Sequence, residues 1–263
     1  MISNRTFLAF VLFSAATVAN CVHVRAANLS LGIDPMVLEF AAPFGGETHA
    51  SVTVTNSGSS DELVYARPID WRTSPKGDVL FERPGTERAH SLTSALTLVP
   101  SSFVLHAGET RDVAVILRLP ANKDVSAANL WGGFILRASA SGASAGGATP
   151  GGTILVYDTV GSPRRHLGLT KLAVASGSEG PHLVAHVVND GETYVRPVVH
   201  MLVERGQTVV LERTIPCNVL FAGDAREITA SLRGLPAAVY RIHFLLDYGD
   251  DSIVDGVTDA RLH

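Results

Sequence analysis

Hydrophobic and polar positions alternate with a period of two along most of the chain. Ser51-Val52-Thr53-Val54-Thr55 alternates without a break, and Asp112-Val113-Ala114-Val115-Ile116-Leu117-Arg118-Leu119 does so with one slip. Similar runs cover residues 63–69, 131–138, 154–160, 167–174, 182–188, 195–203, 209–215, 228–232 and 240–246. Successive side chains of a strand point to opposite faces, so this period predicts strands with one buried and one solvated face. Their ends carry turn formers: Asn56-Ser57-Gly58, Pro75-Lys76-Gly77-Asp78, Asn189-Asp190-Gly191 and Tyr248-Gly249-Asp250. No helical period is sustained, although residues 91–98 have room for one helical turn. The expected fold class is all-β, built from β-sandwiches.

An internal repeat divides the chain. Leu105-His106-Ala107-Gly108-Glu109-Thr110-Arg111 leads through a strand to Leu119-Pro120-Ala121. Leu220-Phe221-Ala222-Gly223-Asp224-Ala225-Arg226 leads in the same way to Leu235-Pro236-Ala237. Upstream, Asn56-Ser57-Gly58 before Arg67-Pro68 is matched by Asn189-Asp190-Gly191 before Arg196-Pro197. Two marker pairs in one order predict two sandwiches of related topology. The interval between markers is longer in the first copy, which places an insertion near residues 73–95, rich in charge, Pro and Gly. Residues 139–152 are only Ser, Ala, Gly, Thr and Pro and read as a flexible loop. The strand at 154–160 can return from that loop to the first sandwich. The junction then falls at Gly161-Ser162-Pro163-Arg164-Arg165, with domains at 27–161 and 162–263.

The first residues bear on compartment. Arg5 precedes an apolar run at 7–18, too short to span a bilayer and suited to a signal-peptide core. Cleavage after Ala19 or Ala26 is open; Ala26 is favoured because the extended pattern starts behind it, giving a signal peptide over 1–26. Val18-Ala19-Asn20-Cys21 leaves lipid attachment at Cys21 open. The mature chain keeps only Cys217, so no internal disulfide can form and packing alone must hold it. No later stretch is apolar enough to span a membrane. A charge of −4 argues against a nucleic-acid partner. The expected product is an exported, periplasmic protein.

Catalytic patterns are thin. Gly142-Ala143-Ser144-Ala145-Gly146 matches a nucleophile elbow, but a low-complexity tract supplies neither the strand nor the helix that an elbow needs. His182 and His186 on a strand stand about 13 Å apart, too far to share an ion, and His200 could approach either only across strands. Asp247, Asp250, Asp251 and Asp255 form an acidic hairpin without the spacing of a calcium loop. Cys217 has no basic neighbour in sequence to lower its pKa and reads as an inert thiol. Trp71 and Trp131 read as core aromatics. No enzyme activity, cofactor or metal is expected.

Several first-half segments resemble the periplasmic pilus-assembly chaperones of the PapD type. Pro35-Met36-Val37-Leu38-Glu39-Phe40 is similar to the family's first strand, and residues 50–56 to its second, which ends in Asn. Residues 63–71 are similar to the next, ending near a Trp. Val99-Pro100-Ser101-Ser102-Phe103-Val104-Leu105, with Gly108, Arg111, Leu119-Pro120 and Asn129-Leu130-Trp131, completes the likeness over residues 29–160. The resemblance implies two tandem immunoglobulin-like sandwiches and a binding role. A strand of the first domain would fill a gap in an exported pilin-like subunit, which passes to an outer-membrane usher. The matching strand is Ile154, Leu155, Val156 and Tyr157, with Ile154 and Val156 expected to face the subunit. The family's basic cleft pair falls on Met36 and about Gly152, neither charged; Arg164 and Arg165 are the candidate replacement for holding an anion. Two other readings stand beside this one: a secreted or surface structural or adhesive module working through its loops, and a calcium-binding module.

Overall fold

The structure, a computed structural model, describes residues 31–86, 89–122, 128–140, 151–249 and 253–263. The expected signal peptide at 1–26 with Cys21, the pentapeptide from Gly142 to Gly146, and Asp250 and Asp251 lie outside the described residues. The described residues form strands β1 (Leu31–Asp34), β2 (Val37–Phe40), β3 (Glu47–Asn56), β4 (Glu62–Thr73), β5 (Val79–Glu82), β6 (Leu96–Val99), β7 (Ser102–Leu105), β8 (Thr110–Arg118), β9 (Ala128–Ala140) and β10 (Gly151–Val160). The second half forms β11 (Leu167–Gly177), β12 (Gly180–Asn189), β13 (Val198–Arg205), β14 (Thr208–Pro216), β15 (Ala225–Ser231), β16 (Val239–Asp247) and β17 (Val254–Arg261). No helix occurs among the described residues.

Each half makes one sandwich. In the first, a sheet ordered β1-β3-β8-β6 faces one ordered β2-β10-β9-β4-β5, with β7 also on β4. In the second, β11-β12-β15 faces β14-β13-β16-β17. Both are immunoglobulin-like orders: the first, second and fifth framework strands share one sheet, the third, sixth and seventh the other. Alternation explains the packing. Val52 and Val54 of β3, Val113, Val115 and Leu117 of β8, and Phe134 and Leu136 of β9 share one core. Leu183, Ala185 and Val187 of β12 meet Met201, Val203, Ile242 and Phe244 in the other. Tyr240, opening β16, donates its hydroxyl to the Pro236 carbonyl at 2.8 Å, the tyrosine corner of such sandwiches.

The repeat is visible bond by bond. Asn56 donates Nδ2 to the carbonyls of Ser60 (2.8 Å) and Leu105 (3.1 Å), and its Oδ1 accepts from Gly58 N–H (2.8 Å). Asn189 does the same with Thr193 (2.8 Å), Leu220 (2.9 Å) and Gly191 (3.0 Å). The Asn carbonyls accept from Gly108 N–H (2.9 Å) and Gly223 N–H (2.7 Å). Both glycines hold positive φ, 75° and 82°, in the left-handed region where a Cβ is strained. Each Asn thus closes a corner between its own strand and the turn before β8 or β15.

The insertion at 73–95 folds as β5, hairpinned on β4, followed by a segment that docks Leu92 under the sheet. The helical turn expected within 91–98 is one turn, closed by Leu96 N–H to the Leu92 carbonyl at 3.0 Å. It extends no further because β6 begins at Leu96.

Asn189→Ala strands two buried carbonyls. It is expected to lower stability by about 2 kcal/mol or more in urea unfolding, with Asn56→Ala giving a similar loss; a change near zero in both would remove the corner bonds as a source of stability.

Candidate functional site

The strand singled out by sequence, β10, has two different halves. It pairs antiparallel with β9 along its whole length, from Gly151 opposite Arg137 to Val160 opposite Ala128. On its other side, β2 pairs parallel with it only at Leu155 to Asp158. Leu155 N–H donates to the Met36 carbonyl at 2.8 Å, so Leu155 is aimed at the β2 side. In such a ladder alternate residues aim their main-chain groups the same way. Thr153 and Gly151 therefore present N–H and C=O towards a side where no described strand pairs with them. β1 cannot close that side, because it pairs with β3 in the opposite sheet. Ile33 instead lays its side chain against Gly152, at a spot where a Cβ would stand 2.4 Å from Cδ1.

The side chains of β10 depart from expectation. Ile154 and Val156, expected to face a partner, are fully buried in the first sandwich's own core. The cause is register: Ile154 lies opposite Phe134, an inward-facing core residue, so the alternation puts Ile154 and Val156 inside. Leu155 and Tyr157 take the outer face and pack where the two sandwiches meet.

That meeting place is aromatic. Phe221 of the second sandwich stacks on Trp131 of β9 with centroids 4.0 Å apart and meets the edge of Trp71 of β4 at 5.2 Å. Trp71 in turn stands edge-on to Tyr157 at 5.3 Å. The two indoles satisfy each other's strands: Trp71 Nε1 donates to the Gly132 carbonyl (2.9 Å) and Trp131 Nε1 to the Trp71 carbonyl (2.7 Å). Both are core aromatics, as expected, but of the junction rather than of one sandwich. Tyr157 continues to Tyr194 at 4.7 Å, and the Arg196 guanidinium lies 4.4 Å over the Tyr157 ring and 5.1 Å over Tyr194. Arg196 also pairs with Glu39 of β2. Burial pushes the Tyr157 phenol up to about 12, the nearby Arg196 pulling the other way, so it stays neutral at any physiological pH.

A second tie is a buried cation. Arg226 donates Nη1 to the Asn218 carbonyl (2.6 Å) and Nη2 to the Val219 carbonyl (2.8 Å) and Thr73 Oγ1 (2.9 Å). Asn218 Nδ2 reaches the Gly77 carbonyl of the first sandwich at 2.8 Å. Its repeat counterpart Arg111 is partly exposed and pairs with Glu109 at 2.7 Å. Sequence reading missed Phe221, Tyr194, Arg196 and Glu39 as junction residues. One signal was available: the repeat matches His106 with Phe221, and an apolar ring at a corner that is polar in the other copy is a covered ring.

Arg164 and Arg165, the candidate anion anchor, are exposed and each holds one loop carbonyl of the second sandwich. Arg164 donates Nη2 to the Asp190 carbonyl (2.7 Å) and Arg165 donates Nη1 to the Gly249 carbonyl (3.0 Å), tying the connection to loops of the second sandwich. They follow the far end of β10, and its ten residues separate them from Gly151 by about 30 Å. Met36 is exposed and Gly152 is flanked by Ile33, so neither position carries a cation.

The histidines go to separate partners. His182 Nδ1 sits 3.1 Å from the Gly180 carbonyl, His186 Nε2 3.3 Å from Glu227, and His200 Nδ1 3.3 Å from Thr214 Oγ1. His200 lies on β13, in the sheet opposite β12, and cannot pair across strands with the other two. Asp247 accepts from Gly249 N–H at 2.9 Å. The fold does bring a basic group near Cys217, Arg226, but burial outweighs it and raises the thiol pKa.

Two outcomes test the junction and β10. Phe221→Ala is expected to cost about 3–5 kcal/mol and to let the sandwiches melt as two calorimetric transitions; one unsplit, unshifted transition would contradict the coupling. Asp158 of β10 is buried, its Oδ1 accepting from Ala42 N–H at 2.8 Å while Oδ2 has no partner. Burial raises its pKa. Between the ordinary carboxyl value and the raised one the native state holds the extra proton, so stability falls as pH rises through that window. Asp158→Asn is expected to raise the melting temperature at pH 7.5 by about 2–4 °C, with the gain vanishing towards pH 4.

No family model matches the chain, and no curated protein matches it. Among solved structures it is similar to the class 5 fimbriae chaperone CfaA, at 8% identity and TM-score 0.48, over 87% of this chain and 98% of that one. It is similar to a chain of a chaperone–tip adhesin complex of CFA/I fimbriae at 8% identity and TM-score 0.49, over 89% of this chain and 100% of the other. A third is the CsuC–CsuE chaperone–tip adhesion subunit pre-assembly complex from the archaic chaperone-usher Csu pili of Acinetobacter baumannii, at 13% identity and TM-score 0.47, over 86% and 97%. Another similar structure is the PapD-like domain 7 of human CEP192, at 13% identity and TM-score 0.34, over 58% of this chain and 97% of that one.

Proposed function

We propose that this chain is a non-enzymatic, exported chaperone-like protein of two domains joined between Val160 and Leu167. It assists assembly of a pilus or other surface appendage in the periplasm by offering a strand edge to an exported pilin-like subunit, which then passes to an outer-membrane usher. The observation that carries this reading is the open side of β10 at Gly151 and Thr153. An unpaired edge is a template for main-chain pairing with another chain. Here it is held rigid by β9 on one side and by the Tyr157 contacts at the junction on the other end.

In this mode the main chain supplies the attraction, since Ile154 and Val156 are committed to the core. Side-chain selectivity then falls to the outer-face residues Thr153 and Leu155. Two variants separate the roles. Thr153→Pro deletes an N–H that makes no bond to β9, so the fold is kept while the edge loses a donor. Ile154→Asp puts an unpaired carboxylate in the core and is expected to unfold the sandwich.

The measurement is capture of a subunit from the native envelope fraction through a photo-crosslinker at Thr153, identified by mass spectrometry. A small β-rich adduct, reduced about tenfold in co-purification by a folded Thr153→Pro variant, is the expected result. A folded Thr153→Pro protein that captures as before would leave the structural or adhesive module as the better reading.

A further inference from the structure

A second surface begins on the neighbouring strand, on the outer face of β9, β4 and β5. A groove of about 650 Å³ runs there, with Phe81 and Ile135 on its floor and Arg67, Arg83 and Arg137 on its rim. Phe81 is half exposed, an unusual position for a phenylalanine on an open sheet face. Arg83 and Arg137 have no ion-pair or hydrogen-bond partner among the described residues, and Arg67 rests only over the Tyr65 ring, 5.7 Å from its centroid. The one described acid lining the groove, Glu82, is occupied by Arg72 Nε at 2.5 Å. Among the described residues, three guanidiniums without a carboxylate partner thus surround an apolar floor on a chain of net charge −4.

We propose that this groove binds an acidic extended segment of another protein, its carboxylates meeting the arginines while apolar side chains on the same face of that segment rest on Phe81 and Ile135. Spacing favours such a segment. Arg67 lies opposite Ile135 and Tyr65 opposite Arg137, so Arg67 and Arg137 share one face as a diagonal pair about 7–8 Å apart. Alternate side chains of an extended chain recur at about 6.6–6.8 Å, so acids at i and i+2 meet the two guanidiniums together. Arginine forks bind carboxylates bidentately, and the apolar floor gives residue i−2 or i+4, which points the same way as the acids, a place that a phosphate polymer would leave empty. The groove adjoins β10, since Gly151 lies opposite Arg137 and Thr153 opposite Ile135, but no β10 residue lines it.

The test is fluorescence anisotropy of the full mature protein with a labelled nonapeptide that carries leucine, glutamate, glutamate and leucine at alternate positions, all pointing one way, with serine between them. Controls are the same peptide with glutamine for glutamate and a single-stranded oligonucleotide of equal charge. The acidic peptide is expected to bind, about 10-fold tighter than its glutamine form and more weakly as salt rises. Each of Arg67→Gln, Arg83→Gln and Arg137→Gln is expected to weaken it about two- to five-fold, with Arg137→Lys in between, while the melting temperature holds. Equal binding of the glutamine peptide, tighter binding of the oligonucleotide, or an unchanged triple variant overturns the proposal. Thr153→Pro leaves peptide affinity intact if the groove acts alone. Loss of subunit capture by Thr153→Pro, together with arginine variants that bind the peptide as before, overturns the groove and spares the β10 edge; the reverse pattern overturns the edge and spares the groove.

Discussion

The stacking of Phe221 on Trp131 is the contact that turns two sandwiches into one object. Domains joined by a short connection move relative to one another unless their interface is large and apolar. This interface is not large, but it is aromatic at its centre and closed at its side by a buried guanidinium. A buried aromatic ring removes about 150–250 Å² from water, worth roughly 4–6 kcal/mol at 25 cal/mol per Å². Arg226 adds direction, since two bonds to carbonyls of its own sandwich hold the guanidinium while the third, to Thr73, crosses to the first and is lost if the angle between them changes. Tyr157 is a member of this cluster and of β10, so the position of the open edge relative to the second sandwich is set by ring packing.

Much of the architecture was legible because strands write their faces into sequence with a period of two. The repeat was legible for a more specific reason. Asn56 and Asn189 each satisfy two carbonyls and one N–H, and only a short amide on a strand end can do this. Gly108 and Gly223 sit where φ is positive, so both corners demanded the same residues at the same order of positions. The longer first copy was likewise readable, because the Leu92 segment, β6 and β7 have no equivalent in the second, whose β14 answers to β5.

The site was less legible. Alternation identifies the two faces of β10 but not which one is inside; that is decided by its register with β9. Ile154 and Val156 look like partner-facing residues by hydrophobicity alone, and so do all core residues. The half-open side of β10 depends on β2 pairing parallel over only four residues, a long-range arrangement that leaves no local mark. Arg196 was visible only as part of a turn marker, since its partners Glu39 and Tyr157 come from distant strands. A pair of cations in sequence likewise says nothing of the loop carbonyls that Arg164 and Arg165 hold.

The chain has two tryptophans, and both are at the junction. Neither indole samples the interior of a single sandwich. The natural emission of this protein therefore reports the hinge, not the cores: its colour and intensity follow how closely Phe221 sits on Trp131. An optical signal of interdomain opening is built into the molecule without any label.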